Sequence, residues 1–168
     1  QIMTAVAAAC LLATPAASQA IQNCDYVGST ADRLALWSQA SRTFANGAIR
    51  VAALDTGGEP VCCSNHLMIL APDPNIGEAC YVLSDRSGEG FRQVFVSEIE
   101  SSYDPGEGLL LQVPVGRYDP DTGGVDPNGL MRVPVRINQA TGVVNIEALP
   151  THSKILKKTG RVLKKKSP

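Results

Sequence analysis

The chain has 168 residues, 44% hydrophobic and 18% charged, with five cysteines and a formal charge of −1. Its longest apolar run is shorter than the roughly 20 residues of a membrane-spanning helix, which argues against a transmembrane protein, while the 148 residues after residue 20 make one domain able to bury a core. The near-neutral total hides a split: sixteen acids and eight arginines give residues 21–150 a charge of −8, whereas six lysines and Arg161 give residues 151–168 a charge of +7.

Residues 2–13 are apolar except for Thr4, Pro15 ends any helix there, and Ser18-Gln19-Ala20 has the small-x-small pattern of a cleavage site. The segment 1–20 therefore reads as a signal peptide, and the protein as periplasmic or secreted. In an oxidising compartment, Cys24, Cys62, Cys63 and Cys80 read as two disulfides of a stapled domain over 21–150. Residues 30–45 carry a helical pattern. Ser29 or Thr30 caps it, Leu34, Trp37, Ser41 and Phe44 share one face, and Asn46-Gly47 stops it.

After Gly47 the pattern changes to short apolar runs between turn clusters rich in Gly, Pro, Asp and Asn. These runs predict strands over 48–54, 61–70, 80–85, 91–100, 109–118, 130–137 and 143–148. Pro114 and Pro134 cannot donate to a ladder, so their strands are expected at an edge or bulged. The fold class is α+β, mainly β. The expected architecture is an antiparallel meander or sandwich of six or seven strands, with one N-terminal helix packed on it.

The stretch 55–66, DTGGEPVCCSNH, holds the candidate chemistry. The run Ile49 to Leu54 followed by Asp55-Thr56-Gly57 resembles the hydrophobic-Asp-Thr-Gly motif of the aspartic protease family. That resemblance implies two carboxylates about 3 Å apart sharing one proton, one from each subunit of a symmetric dimer, with Asp55 as the catalytic residue. A second triplet, Asp121-Thr122-Gly123, follows Asp119-Pro120 with no apolar strand before it. Asp, Thr and Gly are also what a turn requires, and that reading explains both copies.

Cys63-x2-His66-x-Met68 resembles the Cys-His-Met ligand loop of blue copper proteins, which implies a metal site on Cys63, His66 and Met68. Such a site needs a second histidine, and the other one, His152, lies in the basic tail. A structural reading takes Cys62 and Cys63 as neighbours in strand 61–70, pointing to opposite faces. Cys24 and Cys80 then bond one each to Cys62 and Cys63, with two pairings open. There is no Gly-x-Ser-x-Gly elbow and no P-loop, and a serine or cysteine triad would rest on His66. Asp119, Asp121 and Asp126 crowd one loop, but Gly123 stands where a Ca²⁺ ligand would be needed, so a polar turn is expected.

Residues 151–168 repeat Ile155-Leu156-Lys157-Lys158 as Val162-Leu163-Lys164-Lys165. They read as a basic tail outside the folded core. Its Lys157, Lys158, Lys164, Lys165 and Lys166 would meet an anionic surface. The leading functional reading is an exported, non-catalytic binding or structural module for an unknown protein or anionic envelope component. It needs no cofactor and recognises no specific nucleic acid. The alternatives are a dimeric hydrolase using Asp55 and a periplasmic metal-binding protein using Cys63, His66 and Met68.

Overall fold

In β8 (Gly108–Tyr118), Leu109, Leu111, Val113 and Val115 are buried. In β9 (Val125–Asn138), Val133, Val135 and Ile137 are buried opposite them. This period of two makes one face of each strand apolar, and antiparallel pairing lines those faces up. The same alternation recurs in β3 (Ile49–Asp55) and β4 (Asn65–Asp73), where Ile49, Val51, Ala53, Leu67, Ile69 and Ala71 turn inward. The computed structural model describes residues 19–26, 33–35, 40–57, 61–86 and 88–147. Residues 1–18 of the signal peptide expected over 1–20, and the basic tail over 151–168, lie outside them. Gln19 and Ala20, the end of that expected peptide, are described, and Ala20 opens β1.

Among the described residues, ten strands form two antiparallel sheets. The first has the order β1 (Ala20–Asn23), β5 (Gly77–Ser84), β4, β3, β2 (Ser41–Phe44). The second runs β10 (Val143–Ile146), β9, β8, β6 (Gln93–Val94), with β7 (Glu100–Asp104) also on β8. Inward side chains of both sheets form one core, so the sandwich and the meander coexist. Each fully buried Leu, Ile or Val in it contributes about 1.5–3 kcal/mol. No helix of the described residues is long and apolar enough to cross a membrane.

Among the described residues, the helix expected over 30–45 is overturned at Leu34 and at 41–44. Leu34 instead bridges Leu54, and Ser41–Phe44 is strand β2, paired with β3 from Ser41↔Ala52 to Phe44↔Ile49. Residues 27–32 and 36–39 lie outside the described ones. Asn46-Gly47 turns a hairpin where a helix stop was expected. Ala45, Asn46 and Gly47 take φ of 51°, 55° and 88°, the left-handed conformations that Asn and Gly adopt most readily. Pairing with β3 takes up the backbone groups of 41–44 that face it, and Arg42 adds tertiary anchors. Its guanidinium lies 5.0 Å from the Phe44 ring and donates to the Ile99 carbonyl at 2.6 Å.

Pro114 and Pro134 lie in interior strands, not edge strands, but each sits where a neighbouring strand breaks off. The Pro114 carbonyl accepts the Phe95 N–H at 3.0 Å, so its nitrogen faces the gap between β6 and β7, filled by the 3₁₀ turn Val96–Glu98. The Pro134 carbonyl accepts the Glu147 N–H at 2.8 Å, just past the end of β10. Neither ladder asks these nitrogens to donate. The β8–β9 register also shifts between Gly116 and Tyr118.

Candidate functional site

The outer face of the first sheet carries His66. Register places it beside Leu54, and Met68 beside Val82. Leu54 and Val82 form a second small core with Cys24, Leu34 and Met68. His66 is 1% exposed and Ser84 is fully buried, and Nδ1 of His66 lies 2.9 Å from the Ser84 hydroxyl. This is a buried cross-strand hydrogen-bonded pair that substrate does not reach. Burial holds the His66 imidazole below its ordinary pKa of 6.5, with Asp55 opposing the shift.

A pH prediction follows from that direction. The folded protein resists protonating His66, while the unfolded chain protonates it near pH 6.5. The stability this histidine contributes is therefore full above about pH 6.5 and is lost as pH falls below it. His66→Gln keeps an amide partner for Ser84 and does not titrate. Urea unfolding at pH 7 and pH 5 should show a larger loss in the parent than in His66→Gln, and equal losses would refute the assignment.

The disulfides correct the expected pairing. Cys24 bonds Cys80, and Cys62 bonds Cys63. The expectation assumed that 62 and 63 were strand residues. Val61–Cys63 is instead a 3₁₀ turn and β4 begins at Asn65, so the opposed directions of strand neighbours do not apply. Cys24 follows β1, whose ladder sets Asn23 opposite Tyr81, so the next pair in register is Cys24 with Cys80. Their Cα atoms are 5.5 Å apart. With its sulfur bonded to Cys62, Cys63 offers no thiolate to join His66 and Met68. Among the described residues, no three His, Cys, Asp or Glu side chains cluster as metal ligands would.

Asp55 ends β3, exposed, and its Oδ1 accepts the Gly57 N–H at 3.0 Å. Thr56 donates its N–H and its hydroxyl to the Ser64 carbonyl. The second triplet lies in a similar turn. Asp119 accepts the Thr122 hydroxyl at 2.7 Å and the Asp121 N–H at 2.9 Å, and these bonds lower its pKa. Both carboxylates accept hydrogen bonds from their own loops.

These turns stand at one end of the sandwich, and a cluster of arginines and carboxylates lies there too. The 85–92 connection packs on the cysteine turn. The Cys63 carbonyl accepts the Gly90 N–H at 2.7 Å, and Phe91 exchanges two backbone bonds with Asn65. A Cβ on residue 90 would fall 2.5 Å from the Asn65 carbonyl oxygen and 2.7 Å from that of Cys63, so only glycine fits. Between this connection and the end of β8 is a cleft of about 260 Å³, walled by Cys63, Phe91, Arg117 and Tyr118. Arg117 donates from Nε and Nη2 to Oδ1 of Asp85, at 3.2 and 3.0 Å. Arg86 pairs with Glu89 at 3.6 Å. Arg92 donates Nε to the Gly123 carbonyl at 3.2 Å. Sequence reading missed these arginines, since residues 86, 92 and 117 share no local motif.

Comparison with protein-family models, with curated proteins and with solved structures finds no match for this chain.

Two hollows are larger: one of about 510 Å³ between β1 and β10, lined by uncharged side chains including Gln22, Asn23, Tyr81 and Asn145, and one of about 450 Å³ lined by Phe95, Leu130 and Met131 with Glu98 and Arg132. The first has no charged side chain and the second a single cation, so the cleft with three arginines is the stronger candidate site. The basic residues Lys157, Lys158, Lys164, Lys165 and Lys166 lie outside the described residues.

Proposed function

We propose that this chain is an exported, disulfide-stapled β-sandwich that acts as a non-catalytic binding module, with its binding surface at the cysteine-turn end. The observation that carries this reading is the contrast between two sets of polar groups. The pair a nucleophilic mechanism would use, His66 and Ser84, is sealed in the interior, and Asp55 accepts a bond within its own turn. Three of the eight arginines of residues 21–150 instead gather at one surface cleft. The apolar run over 2–13 and the paired cysteines support export to an oxidising compartment. Residues 151–168, with their charge of +7, would add a salt-sensitive attraction to an anionic envelope component.

A photo-crosslinking amino acid placed at Glu89, on the cleft, or at Ile76, 72% exposed in the β4–β5 turn, tests the reading in the exporting cell. An adduct is expected at 89 and none at 76. Equal labelling, no labelling, or proteolytic activity that disappears in Asp55→Ala would overturn it.

A further inference from the structure

The arginine cleft has a charge that selects its ligand. It brings together Arg86, Arg92 and Arg117 with Asp85 and Glu89, a local excess of one positive charge. The surrounding residues 21–150 carry −8, so this excess runs against the background. The three guanidiniums are not equivalent. Arg117 is held against Asp85, whose side chain is only 13% exposed. Arg86 meets Glu89 at 3.6 Å with both side chains more than half exposed, a weak pair in water.

Arg92 has no carboxylate partner among the described residues. Its Nε bond to the Gly123 carbonyl anchors the guanidinium, and its backbone N–H donates to Gly116 at 3.0 Å. Asn65 Nδ2 holds the Arg92 carbonyl at 3.1 Å. An anchored guanidinium whose Nη groups make no hydrogen bond among the described residues is a preorganised fork for a planar or tetrahedral oxyanion. Tyr118 beside it, partly exposed, adds apolar wall.

We propose that the cleft binds a small anion, a carboxylate or phosphoryl group on a larger molecule, with Arg92 as the primary contact and Arg86 released from Glu89 to join it. This rests on the binding-module reading and names the ligand class of that same site. The volume of about 260 Å³ suits one such group with a short apolar attachment.

The experiment titrates ¹⁵N-labelled, oxidised full-length protein with inorganic phosphate and, separately, with acetate. Chloride keeps ionic strength constant, and the arginine Nε–H resonances are followed. A saturable shift of Arg92 is expected with at least one of the two anions, and the tighter one identifies the group. Arg92→Gln should weaken it at least tenfold. Glu89→Gln, which frees Arg86, should tighten it severalfold, a gain that misfolding cannot imitate. Arg132→Gln, on the second sheet and paired with Glu100 at 3.1 Å, should leave it unchanged. Absence of saturation with both anions, or equal weakening in Arg92→Gln and Arg132→Gln, would overturn the proposal. Cleft-specific crosslinks without anion saturation would leave the binding reading standing and reject only the ligand class.

Discussion

Replacing Cys24 and Cys80 together by alanine should lower the unfolding free energy by about 4 kcal/mol, whereas the same change at Cys62 and Cys63 should lower it by about 1 kcal/mol or less. The difference lies in the unfolded chain. The Cys24–Cys80 bridge spans a separation of 56 residues, and the Cys62–Cys63 bridge a separation of one. A cross-link restricts the unfolded ensemble in proportion to the logarithm of the loop it closes, and adjacent residues close almost none. The longer bridge also ties the segment after β1 over the outer face of the first sheet, where Cys24 packs with Leu54 and Val82. A loss of 4 kcal/mol is a large part of the 5–15 kcal/mol that ordinarily holds a domain folded. Urea midpoints of the two double variants at equal m-values decide the matter, and equal losses would refute the assignment.

Phe91→Ala should be nearly as damaging, at about 3–5 kcal/mol, or a fall in Tm of roughly 10 °C. The ring is 1% exposed and belongs to the core shared by both sheets. Its backbone bonds to Asn65, 2.7 and 3.1 Å long, hold the 85–92 connection to β4. Truncation leaves a cavity that this backbone pairing cannot close up. The neighbouring Arg92→Gln removes an exposed bond and should shift Tm by a degree or two. Calorimetry on both separates core packing from the cleft, and similar shifts would show that the ring is not the anchor.

Most strands were legible in the sequence because each carries its own evidence. β3, β4, β8 and β9 alternate or run apolar between turn residues, and a period of two survives whatever packs against it. Pro114 and Pro134 were legible only in part: both sit where a neighbour stops, as a missing N–H requires, but their strands β8 and β9 are interior and not the edge strands expected. Beyond the strands, the cysteine count was enough to indicate two bridges.

Tertiary structure decided what depends on partners. Residues 41–44 carry both a helical arc and strand-compatible residues, and pairing with β3 together with the Arg42 contacts selects the strand. Asn46-Gly47 stops a helix or turns a hairpin by the same left-handed freedom, so it could not arbitrate. The disulfide pairing followed from whether residues 61–63 were strand or turn, and it reversed when they proved to be a turn. The arginine cleft was invisible for a further reason. Its charge is the sum of side chains from two segments distant in sequence, and only the folding of the 85–92 connection against β4 and the end of β8 brings Arg86 and Arg92 within range of one ligand with Arg117. Local propensity acts through neighbours along the chain, whereas a site's charge acts through neighbours in space, so the sequence alone determined most strands after Gly47 and the fold determined β2 and the site.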